Sequence, residues 1–229
     1  RTDTMLAGFF SFLDKKVGLS NCVIALTGDH GIAPIPEYLR YKSPRIAAGR
    51  IGSGGVTKAV SRILDAQFAK DATGTKWIEQ LIDSDIYLNR DVLREKNVSM
   101  GAAMQLLKDS LSALEPFAGV YTRDEMEHSG ALDHLGLMVR NSFYSSRSGD
   151  VMFVLKPFYV NGGDSVGTSH GQADDYDTHV PLIFFGAPFK PGMYHQEVSP
   201  IDLAPTMSDV LGIEYPPSRE GRVLYEAIK

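Results

Sequence analysis

Apolar residues recur every three or four positions at the start of the chain: Met5, Leu6, Phe9, Phe10, Leu13 and Val17. The spacing predicts an amphipathic helix over about 3–17, with Lys15 and Lys16 in its last turn and Gly18 just beyond it. Asn21 leads into five consecutive apolar residues, Cys22 to Leu26, a run that fits a parallel strand buried on both faces. The run stops at Thr27-Gly28-Asp29-His30-Gly31. Residues 32–55, with Pro34, Pro36 and Pro44, are expected as a surface loop. Helical patterns follow at about 56–70 and 99–114, short helices at Asp124–His128 and Leu132–Val139, and short strands at Ile86–Leu88 and Gly119–Tyr121. Val151–Leu155 and Pro181–Phe185 are two further apolar runs of strand length, separated by a polar loop from Asn161 to His179. Asp202 is expected to cap a helix carrying Leu203, Met207, Val210 and Leu211, ended by Gly212.

Apolar runs alternating with amphipathic helices predict an α/β fold: a mostly parallel sheet with helices on both faces and an inserted α+β cap. The divisions expected are 1–39 and 151–229 for the α/β core and 40–150 for the cap. The strands at 22–26, 151–155 and 181–185 are expected in one sheet, with the helices at 3–17 and 202–211 on its faces.

Composition narrows the function classes. The chain has 229 residues, 43% hydrophobic and 22% charged, so it can bury a sizeable core. A net charge of −5 without a basic run gives no footprint for nucleic acid. No apolar run is long enough to span a membrane. The single cysteine, Cys22, excludes an intrachain disulfide and a multi-cysteine metal cluster, and its place at the head of an apolar run makes it a core residue.

Two constellations carry chemistry. In Gly28-Asp29-His30-Gly31, flanking glycines allow a bend that turns neighbouring side chains to one point. A carboxylate and an imidazole are good ligands for Zn²⁺ or another borderline divalent ion; the same residues also suit a simple turn. The second is Gly167-Thr168-Ser169-His170-Gly171, followed by Asp174, Asp175, Tyr176, Asp177, Thr178 and His179. His170 reads equally as a ligand or as a solvated loop histidine, while His179 reads as a loop residue. Arg147-Ser148-Gly149-Asp150 reads as a turn with a structural Arg–Asp pair. His128, His134 and His195 have no metal-like spacing.

Taken in order, these motifs, with Tyr176-Asp177-Thr178-His179-Val180-Pro181 and Ile201-Asp202-Leu203-Ala204-Pro205-Thr206, resemble the C-terminal half of the alkaline phosphatase superfamily. The resemblance is nearest to the bacterial PafA-type alkaline phosphatases, beside the type I phosphodiesterase and nucleotide pyrophosphatase branch. It implies two divalent metal ions, usually zinc. Asp29 and His30 would hold the one that activates the nucleophile, and His170 the one that serves the leaving group. The resemblance also implies that the Thr or Ser nucleophile lies upstream of Arg1, so that the N-terminal half of the fold is missing from this chain and the fragment alone is inactive. The activity implied is metal-dependent phosphoric monoester hydrolysis on a small phosphate ester. Its alternatives are a phosphodiesterase or nucleotide pyrophosphatase of the same superfamily, or a non-catalytic metal-binding fragment. The partner implied is the N-terminal half of the same protein, and the location periplasmic or secreted.

Overall fold

A computed structural model of the chain describes residues 1–52, 54–69, 74–128, 130–163, 167–217 and 220–229. Residue 70, at the end of the helix expected over 56–70, and residues 164–166, in the expected polar loop, lie outside them. In chain order the elements are α1 (Thr2–Val17), β1 (Ile24–Thr27), α2 (Pro36–Lys42), β2 (Gly49–Ile51), α3 (Gly55–Phe68), β3 (Ile78–Ile82) and β4 (Asp85–Leu88). There follow α4 (Arg90–Glu95), α5 (Met100–Ser112), β5 (Phe117–Thr122), α6 (Arg123–His128), α7 (His134–Ser142), β6 (Val151–Leu155) and β7 (Tyr159–Asn161). The last are α8 (Asp175–Thr178), β8 (Leu182–Phe185) and α9 (Leu203–Leu211). The class is α/β. The chain divides into two compact units, one of residues 1–31 with 179–229, the other of 32–178.

The 32–178 unit is built on a four-stranded sheet in the order β3-β4-β6-β5, with every neighbouring pair antiparallel. β6 sits inside it. Val151, Phe153 and Leu155 join the cluster formed with Val56, Val60 and Leu64 of α3, Leu107 and Leu111 of α5, and Trp77. Met152 points the other way, into a smaller cluster with Tyr121 and Met126 against Leu135 and Val139 of α7. Alternate side chains of a strand face opposite sides, so the unbroken apolar run at 151–155 reports two covered faces.

The helices follow their side chains. In α3 and α5 the buried positions recur every four residues, 56, 60 and 64, and 103, 107 and 111. Ser99 caps α5 by accepting from the Ala102 N–H at 3.2 Å, and Asn89 caps α4 by accepting from the Asp91 and Val92 N–H groups. Where a loop was expected over 32–55, Pro36 starts α2 and residues 49–51 form β2, which pairs with β7 in parallel.

In the 1–31 and 179–229 unit, β1 and β8 form an antiparallel two-stranded sheet, with Ile24 opposite Phe185 and Thr27 opposite Leu182. α1 has no buried residue, and Leu26, Ile183 and Phe185 are exposed. Burial on both faces was expected for these runs. A two-stranded ribbon leaves each strand with an unpaired edge and little to cover its faces. One mostly parallel sheet of the runs at 22–26, 151–155 and 181–185 does not form among the described residues. The first and third pair antiparallel, and the second belongs to the other unit's sheet.

Asp202 also departs from its expected role. Its side chain accepts from the Ser199 N–H at 2.9 Å and from the Arg222 N–H at 2.8 Å, not from α9. It thereby fixes the turn that precedes α9 to the C-terminal segment. Thr206, fully buried in α9, accepts from the Leu224 N–H at 3.0 Å and makes a second tie to the same segment. Gly212 ends α9 in the left-handed conformation, as expected.

Candidate metal centre

Asp29 and His30 follow directly on β1. Asp29 Oδ1 accepts from the His30 N–H at 3.0 Å, which folds the carboxylate back along the chain. Its second oxygen, Oδ2, lies 3.6 Å from His30 Nε2. The other ring nitrogen, Nδ1, is 2.6 Å from the Gly31 carbonyl oxygen. A carbonyl only accepts, so Nδ1 carries the proton and donates to it. In the neutral ring Nε2 then presents a lone pair toward the carboxylate. Ligands of a tetrahedral zinc at ~2.0–2.1 Å stand roughly 3.3 Å apart, close to the separation here. A ring held by an Nδ1–H bond to a backbone carbonyl, with Nε2 outward, is also the usual arrangement of a metal-binding histidine. The donor pair therefore fits a divalent cation. The Asp29 side chain is 88% exposed and that of His30 37%, so both donors are accessible.

His170 lies in the other unit, exposed, between β7 and α8, beside Gly171 at φ +84°. Its segment is tied down on both sides. Ahead of it, the Thr168 hydroxyl donates to the Ala33 carbonyl, and the Ala33 N–H donates to the Ser169 carbonyl at 3.0 Å. Behind it, the Gln172 N–H donates to Asp177 Oδ2 at 2.7 Å, and the Ile32 N–H to the Tyr176 carbonyl at 3.1 Å. Asp177 is 2% exposed, so this anchor is fixed inside the unit. Within this unit, Ile32 and Ala33 are thus stitched to the residues on either side of His170. Each unit taken alone holds no group of three or more His, Cys, Asp or Glu side chains arranged for a metal among its described residues.

The Arg147–Asp150 turn is built differently from expectation. Asp150, 3% exposed, accepts from the Leu88 N–H at 2.9 Å and pairs with Arg90 at 3.0 Å and with Arg123 Nε at 3.4 Å. Arg147 instead lies over the Tyr144 ring, 4.7 Å from its centroid. Gly149 is required because a Cβ there would stand 2.9 Å from the Ile86 carbonyl oxygen. The element is structural: it locks β6 to β4. Cys22 is half-buried, with its thiol 3.5 Å from the Gly18 carbonyl oxygen, and His128 contacts the Asp124 carbonyl of its own helix.

Two residues near the His170 segment escaped the sequence reading. Arg50 reaches Glu37 with two hydrogen bonds and the Gly162 and Gly167 carbonyls with one each. These partners are spread along the chain, and no local spacing signals them.

No family model matches the chain. A calcium-transporting ATPase of Myroides odoratus is 30% identical across the whole of this chain, which covers 41% of that protein. Alkaline phosphatase PafA of Elizabethkingia meningoseptica is 28% identical, again over the whole chain and 40% of its own length. The crystal structure of wild-type alkaline phosphatase PafA superposes on 98% of this chain, and on 41% of its own, with a TM-score of 0.86 at 28% identity. A human ectonucleotide pyrophosphatase/phosphodiesterase 5 structure shares the fold at 16% identity, over 99% of this chain and 49% of its own, with a TM-score of 0.61. The chain spans about two fifths of the length of the curated relatives it matches. By sequence and by fold together, it is a relative of the PafA-type alkaline phosphatases within the alkaline phosphatase superfamily.

Proposed function

We propose that this chain supplies part of the metal centre of a phosphoric monoester hydrolase, whose nucleophile comes from the N-terminal half of the same protein. The observation that carries the reading is the Asp29–His30 pair. Its oxygen and its lone-pair nitrogen stand 3.6 Å apart, and the ring is fixed by the Gly31 carbonyl. The names of the relatives support it, since an ATPase and alkaline phosphatases both cleave a bond to a phosphoryl group.

When bound, divalent cations, zinc by resemblance, supply positive charge to the attacking and leaving oxygens of an in-line displacement. Asp29 brings negative charge and one oxygen donor, and His30 brings a nitrogen donor whose tautomer is set before any ligand arrives. His170 brings an imidazole on a loop fastened before and after it. Uncatalysed phosphate monoester hydrolysis is very slow, so positioning and electrostatics must supply nearly the whole acceleration. In this reading the protein acts on a small phosphate ester in the periplasm or outside the cell.

The test uses the full-length protein, with zinc content and the hydrolysis of an aryl phosphate monoester and an aryl diester measured side by side. Asp29→Ala and His30→Ala are expected to lower bound zinc and to cost more than the roughly 10–100-fold typical of residues that only support ligands. His170→Ala is expected to hurt most with poor leaving groups. Unchanged zinc content in all three variants would refute the metal assignment. Faster turnover of the diester would make the protein a phosphodiesterase, and no turnover of either ester by the full-length protein would leave only the non-catalytic reading.

A further inference from the structure

We infer that Arg50 and Glu37 form a clamp that positions the His170 loop, so that Arg50 is a positioning residue for the metal centre. The inference rests on the reading of His170 as a ligand. The clamp itself lies wholly within the 32–178 unit.

Arg50 is the middle residue of β2, and its side chain is 7% exposed. Its Nε and Nη2 groups donate to the two oxygens of Glu37, at 3.1 and 2.8 Å, a fork-to-fork pair. The remaining donors go to backbone: Nη1 to the Gly162 carbonyl at 3.3 Å, and Nη2 also to the Gly167 carbonyl at 3.0 Å. One buried guanidinium thus holds the carbonyls of both Gly162 and Gly167. Gly162 and Gly167 have φ of +90° and +82°, conformations that only glycine adopts readily. Glycines have much backbone freedom to lose, and the bonds to Arg50 restrain these two. Three residues beyond Gly167 stands His170, and the bonds of Thr168 and Ser169 to Ala33 carry the constraint toward it.

The charge arrangement suits this role. Glu37 sits in the first turn of α2, where a carboxylate is favoured, and it fixes the guanidinium plane. A lysine would keep the charge but could not reach two carboxylate oxygens and two carbonyls at once. A mere surface ion pair would have no need of the two carbonyl contacts or of this depth of burial.

The experiment compares the full-length protein with Arg50→Lys, Arg50→Met and Glu37→Gln. Hydrogen exchange is followed for peptides covering 168–172 and, as a control, for α5 and β6. Zinc affinity is measured by competition with a chelator, with His170→Ala alongside. Loss of charge-assisted hydrogen bonds is expected to speed exchange at 168–172 between about tenfold and a hundredfold in both Arg50 variants, with α5 and β6 unchanged. Zinc binding should weaken in the same variants. Glu37→Gln keeps the carbonyl contacts and should show the same change to a smaller extent; it also decides the matter if Arg50→Met fails to fold. Unaltered exchange at 168–172 would overturn the clamp. Faster exchange with parental zinc affinity would overturn the positioning role, provided that His170→Ala does weaken zinc. If His170→Ala leaves zinc binding intact, the assignment of His170 has failed, and exchange alone then judges whether Arg50 holds the loop.

Discussion

A single carboxylate shows how much the local environment decides. The two hydrogen bonds from Arg50 pull the Glu37 carboxyl down from its ordinary value near 4.5 to about 2. A depressed carboxylate contributes stability that is fully present above its unfolded value and is lost as pH falls toward the folded one. The pair should therefore stabilise the protein at pH 7 and cease to do so between about pH 4.5 and 2. Acid titrations of parent and Glu37→Gln should diverge at neutral pH and converge across that window. Parallel titration curves at all pH values would refute this. At the same scale, the bend that brings the Asp29 and His30 side chains together was legible in the sequence, because neighbours on one turn need no tertiary information. Arg50 and Glu37 were not, because the acceptors at Gly162 and Gly167 lie 112 and 117 residues from the guanidinium.

Among the elements, periodicity was a sound guide to type and a poor one to pairing. α1, α3, α5 and β6 lie close to where their patterns put them. The error was to take an unbroken apolar run as a sign of parallel pairing. In β6 the run reflects α3 and α5 on one face and α7 on the other, within antiparallel neighbours. β3 went unseen because Glu79 and Gln80 interrupt its apolar pattern, and β7 because three residues are too few to show a period. The contrast between runs gives a measurable expectation for the 229-residue chain. Leu107→Ala, at a fully buried position of α5, should cost ~2–5 kcal/mol in chemical denaturation. Ile183→Thr, on exposed β8, should stay within about 0.5 kcal/mol. Equal costs would mean that β8 is buried in solution.

At the scale of the whole molecule, both clusters of buried hydrophobic side chains found among the described residues belong to the 32–178 unit. Amide exchange in this chain should accordingly be slowest in β6 and α5 and much faster in β1 and β8; uniform protection would contradict it. No helix among the described residues is long and apolar enough to cross a membrane. The stitch between Ala33 and Thr168 has a consequence for the order of folding. Its partners are 135 residues apart in sequence. Closing a loop of that length costs roughly 4 kcal/mol of chain entropy before any constant is added, whereas each hydrogen bond returns only ~0.5–1.5 kcal/mol. The bonds to Ala33 cannot draw the ends together by themselves; the sheet and helices between them must already have collapsed. During refolding, the loop that bears His170 would then be among the last parts to take its place. A defect deep in the 32–178 unit, far from the loop itself, would surface first as slow recovery of amide protection at 168–172, while the recovery of secondary structure kept its normal pace.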